Sequence, residues 1–326
     1  MITITDVSNW KLKIQRTETG ITILQAITCD HRAVLPGSLF GLPVTALGDY
    51  GLSSSAGNGG EEVLVRGTPP EYSVWSNARL QELTLPDTLE TVGNCAFLGC
   101  WELRTLHLWD NIRFWGSCVL TSCRSLHDID LQCSHEELGV SVSYLVQEVS
   151  QELDVTLHQP HRTIRLMFPD YVETEEESFI SQAVQFAYRV YGAGFPYHHH
   201  CFVKETLNLR KYDTLWKELL RTDYDPECAL QLAWWRLRYP AELGSWAAEG
   251  YLDYLRAHTQ EAVFWLLTRK DTDGLKFLLD QTKSDRETLS DACEMARSSG
   301  SAEALAILLE EKHRRFTVGP DKDFDL

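Results

Sequence analysis

The sequence predicts an α+β chain: a β-solenoid over residues 1–133, a β-containing connector over 134–172, an all-α, solenoid-like domain over 173–316 and a frayed tail over 317–326. Three observations point there. Apolar residues recur at a fixed offset of 23 from Leu80 to Leu103 to Leu126. Past Glu173 the apolar spacing changes from alternation to threes and fours. The composition, 44% hydrophobic and 24% charged, is that of an ordinary globular protein.

In chain order, WKLKIQRTETGITILQAI (Trp10 to Ile27) alternates apolar and polar residues on both sides of a Thr-Gly turn. That pattern predicts a hairpin, placed to cover the open end of a stack. Leu47 and Gly48 of VTALGDYGL take the roles that Val92 and Gly93 have later, which predicts an early coil. Ser53 to Gly60 reads as a surface loop, and Val63 to Val65 as a degenerate rung. Two full units follow, LQELTLPDTLETVGNCAFLGCWE and LRTLHLWDNIRFWGSCVLTSCRS, and a third opens with LHDIDLQC. In register, Leu83 falls on Leu106 and Ile129, Leu85 on Leu108 and Leu131, and Gly93 on Gly116. The opening L-x-x-L-x-L puts alternate residues on one face of a short strand. One such strand cannot bury that face alone, whereas stacked copies share a leucine ladder.

Over about residues 21–131 these units resemble the BspA-type (Treponema-type) leucine-rich repeat family, whose unit reads roughly L-x-x-I-x-I-P-x-x-V-x-x-I-G-x-x-A-F-x-x-C. Leu80, Leu83, Leu85, Pro86, Leu89, Val92, Gly93, Ala96, Phe97 and Cys100 meet that pattern, and Leu35 to Gly48 resembles the segment before the first full unit. The second unit has Trp109 where the family has proline and Trp115 where it has isoleucine. The resemblance implies a leucine-rich-repeat solenoid with a binding role. Family members are often exported, surface-attached adhesive proteins, so a cell-surface adhesin is one alternative.

VSVSYLV, ELDVTLH and TIRLMF alternate and predict strands of the connector. From FISQAVQFAYRVY (Phe179 to Tyr191) to AEALAILLEEKHRR, successive segments carry helical spacing, with cap signals at Asp225-Pro226, Gly250, Asp271 to Asp273 and Ser299 to Ser301. DGLKFLLD (Asp273 to Asp280) and EALAILLE (Glu303 to Glu310) repeat at an offset of 30, as do Ala262 and Ala292. This is similar to ankyrin or other α-solenoid helix pairs. Arg210 to Asp213 and Arg236 to Pro240 are similar to helical regions attached to such repeats in gut Clostridia-type bacteria.

Lys and Arg number 30 against 47 Asp and Glu, a net charge of −17. Such a chain repels polyphosphate and anionic lipid, so no nucleic acid and no membrane is expected as a partner. The apolar run Ala304 to Leu309 is far short of the ~20 residues that cross a bilayer. MITITDVSNWKLKIQ has no basic head followed by an apolar core, and nine cysteines suit reduced thiols, so a cytoplasmic location is expected. The spacing C-x4-C-x17-C-x4-C of Cys95, Cys100, Cys118 and Cys123 is not a zinc knuckle and reads as two ladders of buried thiols. His198, His200 and Cys201 are the metal candidates; successive side chains diverge, although a loop can bring two together. A metal-dependent hydrolase built there is the rival reading.

No Gly-x-Ser-x-Gly or phosphate-loop motif occurs, so neither an enzyme nor a cofactor is expected. What remains is the strand face away from the leucines: Glu82, Thr84, Thr105, His107, Asp128 and Asp130, with Arg104 at the edge. Trp115 reads as core, whereas Trp109 fits core and contact equally. The expected function is non-catalytic recognition of a protein partner with a basic face.

Overall fold

Alternation of leucine with polar residues makes a strand with one dry face, and in-register parallel pairing turns the dry faces into a column. The computed structural model describes residues 8–54, 59–67, 74–136, 140–180, 183–222 and 224–316, and divides the chain into units 1–243 and 244–326. The expected frayed tail, 317–326, lies outside the described residues.

In the first unit the elements run β1 (Trp10–Arg16), β2 (Ile21–Thr28), β3 (Arg32–Val34), β4 (Ser38–Leu39), β5 (Leu42–Leu47), β6 (Glu61–Val65), β7 (Glu82–Thr84), β8 (Thr91–Val92), β9 (Thr105–Trp109), β10 (Phe114–Trp115) and β11 (Asp128–Gln132). Then come α1 (Ser141–Gln147), β12 (Leu153–His158), β13 (Thr163–Phe168), β14 (Val172–Ile180) and β15 (Ala183–Tyr191). Two sheets face the shared core, in the orders β10-β8-β5-β2-β1-β6 and β13-β12-β11-β9-β7-β3. In the second sheet β3, β7, β9, β11 and β12 are parallel rungs. Ala33, Leu83, Leu106, Ile129 and Val155 stand opposite one another across these rungs, none more than 3% exposed. Burying each of the leucines is worth roughly 1.5–3 kcal/mol.

The first sheet repeats the logic, with Leu47 opposite Val92 and Val92 opposite Trp115. At its corner the coils nearly touch. A Cβ added to Gly93 would lie 2.4 Å from the Asp49 nitrogen, and one added to Gly116 would lie 2.3 Å from the Asn94 nitrogen. Only glycine permits that approach.

The expected hairpin is β1–β2, and it caps the first sheet because β2 pairs with β5 while β1 lies outside it. Val63 to Val65 is not a rung: β6 pairs antiparallel with β1 and extends the cap. The early second-sheet rung is β3, whose free edge is blunted when the Trp10 indole N–H donates to the Val34 carbonyl (2.8 Å) and Val34 N–H donates to Ser8 Oγ (2.9 Å). Between the early coil and β7, buried Asn77 donates to the Ala26 and Leu52 carbonyls (2.7 and 2.6 Å) and accepts from Thr28 N–H (3.0 Å).

Three readings of the middle of the chain need correction. The solenoid does not end at Cys133, because β12 adds a parallel rung and antiparallel β13 closes the stack. VSVSYLV is the helix α1, since burying Val142, Leu145, Val146 and Val149 follows a helical stripe. Its Ser141 Oγ accepts from the buried Trp115 indole (3.2 Å), and Tyr144 stacks on that ring, so α1 covers β10. Finally, helix does not begin at Glu173, because β14 and β15 pair antiparallel through nine positions. The segment read as FISQAVQFAYRVY also alternates, and the long-range pairing decides in favour of strand.

Helices α2 (Gly194–His199), α3 (Leu209–Thr214), α4 (Trp216–Leu219) and α5 (Pro226–Arg238) belong to the first unit rather than to a separate helical domain. α5 packs on β13 and is buried almost all round. Arg165 of β13 lies over the Trp235 ring (3.7 Å). The two family-like segments meet here: buried Arg236 grips buried Asp213 in a fork at 2.7 and 2.9 Å and donates to the Ala241 carbonyl at 3.0 Å. Asp225 caps α5 by accepting from Glu227 N–H (3.0 Å), with Pro226 in the first turn.

The second unit holds α6 (Ser245–Ala257), α7 (Thr259–Arg269), α8 (Thr272–Gln281), α9 (Arg286–Ser298) and α10 (Ala302–Phe316). Gly250 lies inside α6 and is not a boundary. α7 packs on α8 and α9, and α10 packs on α8 and α9. The 30-residue offset is visible in buried Ala262 and Ala292, Leu266 and Ala296, and Leu278 and Leu308. Asp271 and Asp285 cap α8 and α9, accepting from Gly274 and Thr288 N–H at 2.8 and 2.7 Å.

Candidate partner-binding face

The residues between the buried leucines point outward from the second sheet and lie in rows. One row is Arg32, Glu82, Thr105, Asp128 and Asp154; the next is Val34, Thr84, His107, Asp130 and Thr156. Glu82, Thr84, Thr105, His107, Asp128 and Asp130 are thus neighbours on one surface, all half-buried. Trp109 is half-buried at the end of β9 opposite Gln132, and Arg104 is exposed where β9 begins.

Charges alternate across this surface. Arg32 Nε lies 3.2 Å from Glu82, whose other oxygen is 3.1 Å from His107 Nε2. Asp130 accepts from Gln132 (3.1 Å) and meets His158 Nε2 at 3.0 Å. Although burial alone would raise it, hydrogen bonds from His107 and His158 hold the Asp130 pKa down to about 2. The His107 pKa is raised, chiefly by Asp130, with burial opposing and Glu82 adding. His127 sits between Asp128 (3.5 Å) and Glu152 (3.3 Å), and those two carboxylates push its pKa up to about 10. Buried Asp154 is held by a fork from Arg165 at 2.8 and 2.6 Å. A basic side chain therefore lies beside each of these carboxylates on the same surface.

Sequence reasoning missed Arg32, Asp154, Thr156 and His158 because it missed their rungs. The available signal was Val155 and Leu157, displaced by 26 rather than 23 from Ile129 and Leu131. Trp115 is core as expected, whereas Trp101 and Phe114 are exposed. The cysteine ladders divide: Cys100 and Cys123 are buried, Cys95 is half-buried and Cys118 is exposed.

The metal candidates do not converge. His198 is fully buried with Nδ1 at 2.8 Å from the Val146 carbonyl and Nε2 at 2.9 Å from that of Pro169. Cys201 is buried and donates to the Tyr197 carbonyl at 2.8 Å, while His200 is exposed. Burial pulls the His198 pKa down to about 4 and pushes the Cys201 thiol far up. Among the described residues no group of three ligand side chains is placed to hold a metal, and no helix is long and apolar enough to cross a membrane.

No curated protein and no solved structure matches the chain. A family model does match: residues 71–163 fit the BspA type leucine rich repeat region (6 copies). The match runs past Cys133 through α1 and β12 to the first residue of β13, in agreement with the parallel pairing of β11 with β12. Residues 71–163 of this chain are a BspA-type leucine-rich repeat region.

Proposed function

We propose that the chain is a protein-interaction module that docks its partner on the outward rows of β7, β9, β11 and β12. Glu82, Thr84, Arg104, Thr105, His107, Trp109, Asp128 and Asp130 would make the contacts. A leucine-rich repeat region supports an interaction role in general. The observation that carries this reading is the cross-strand locking of the face, from Arg32 through Glu82 and His107 and from Asp130 to His158. Side chains already fixed by their neighbours lose little freedom when a partner arrives. The net charge of −17 steers a partner with a basic face, while neutral groups such as Thr84, Thr105 and Trp109 supply the grip.

The test is a comparison of wild type with T84K/T105K/T156K, whose three threonines lie on β7, β9 and β12 of the same sheet. Affinity for the protein captured by wild type should fall at least tenfold while the melting temperature is unchanged. Undiminished capture would place the contact elsewhere.

A further inference from the structure

Cys95 and Cys118 are equivalent residues of consecutive coils, just past the tight Gly93 and Gly116 corner. Cys95 N–H donates to the Ser117 carbonyl (2.9 Å) and Phe97 N–H to that of Val119 (3.2 Å), the slanted pattern that sets Cys95 opposite Cys118. Both hold left-handed backbone, φ +50° and +58°, so their side chains leave the corner in the same direction. Tyr50 occupies the same position on the preceding coil at φ +57°, and its N–H donates to the Asn94 carbonyl (2.8 Å). Its hydroxyl pKa is raised by the Cys95 thiol, with a smaller contribution from Cys118. Neighbouring rungs lie ~4.8 Å apart. That is inside the roughly 4.4–6.8 Å Cα window of a disulfide.

We propose that Cys95 and Cys118 are a peroxide-sensitive modification site that closes to an intrachain disulfide between consecutive coils. One thiol attacks hydrogen peroxide, breaking its O–O bond and giving a sulfenic acid and water. The second thiol attacks that sulfur, forming the S–S bond and releasing a second water. Two thiols are oxidised and one peroxide is reduced. Cys100 and Cys123, at the same offset further along the coils, are an internal control. They are buried, and burial pushes the Cys123 thiol up to about 12 and Cys100 well above its ordinary value, which withholds the reactive thiolate.

The full chain is treated with hydrogen peroxide, then unfolded, blocked with N-ethylmaleimide and mapped by mass spectrometry. Before blocking, wild type should lose ~2 Da, the two thiol hydrogens. It should then take up label at two fewer than its nine cysteines, with Cys95 and Cys118 recovered as one linked peptide that dithiothreitol separates. C95S and C118S should show no 2 Da loss and no linked peptide, and should instead gain ~16 Da, one oxygen, at the cysteine of the pair that remains. Full labelling of all nine cysteines, or a bridge at Cys100 and Cys123, would overturn the assignment.

Discussion

Replacing Gly116 by alanine tests how closely the coils stack. The new Cβ would meet the Asn94 nitrogen at 2.3 Å and the Gly93 carbonyl carbon at 2.4 Å, against 3.4–4 Å for ordinary contact. Both atoms are backbone and cannot swing aside, so two coils must part by about 1 Å. Overpacking of this kind costs up to about 3 kcal/mol. In a unit of 243 residues each kcal/mol moves the melting midpoint by ~2–4 °C, so G116A should melt below wild type by up to ~6–12 °C. Gly99 is the control: its φ is +93° and nothing lies within 4 Å of its would-be Cβ. G99A carries only the left-handed strain of about 1–2 kcal/mol, a drop of ~2–8 °C by the same conversion. Thermal unfolding followed by circular dichroism decides. A G116A midpoint within ~2 °C of wild type, or a larger loss in G99A, would refute the close-stacking argument.

Removing Asp213 strands the buried Arg236 guanidinium, so D213A should lose about 3–5 kcal/mol in urea unfolding, while D213L/R236M recovers most of it. Burial holds the His198 pKa at about 4, below the ~6.5 of an unfolded chain, so the unfolded state takes the proton first. Stability is complete above pH ~6.5 and falls by at most about 3 kcal/mol towards pH 4; urea titrations at both ends should show H198N losing that slope. His127 behaves oppositely: with its pKa near 10, the stability its charge supplies is present below pH ~6.5 and is lost as pH rises through 10. Nitrogen-detected NMR at pH 8 should find His127 doubly protonated, and a neutral ring would contradict the assignment of Asp128 and Glu152 as its partners.

The sequence displayed those parts of the fold whose physics repeats. Leu83, Leu106 and Ile129 share one offset because identical coils bury identical positions, and Leu47 and Gly48 betray the earlier coil in the same way. Where a coil changes length the signal fails. Replacing a coil corner by α1 moved β12 out of register with the 23-residue repeat, and with it went Asp154, Thr156 and His158 of the face. β3 was hidden because three residues carry no periodicity, and its partner β7 lies 50 residues on. Val172 to Tyr191 satisfied strand and helix spacing together, and only cross-strand pairing chose between them. Polar identities on the face were legible, but the ion pairs that lock them depend on register and were not.

The most direct test of the account is methyl–methyl nuclear Overhauser contact in the intact chain, labelled at Leu, Ile and Val. In-register coils predict a relay from Leu83 to Leu106, Leu106 to Ile129 and Ile129 to Val155, with none skipping a rung. A missing link, or Leu83 touching Ile129 directly, would contradict the column and the outward rows that depend on it.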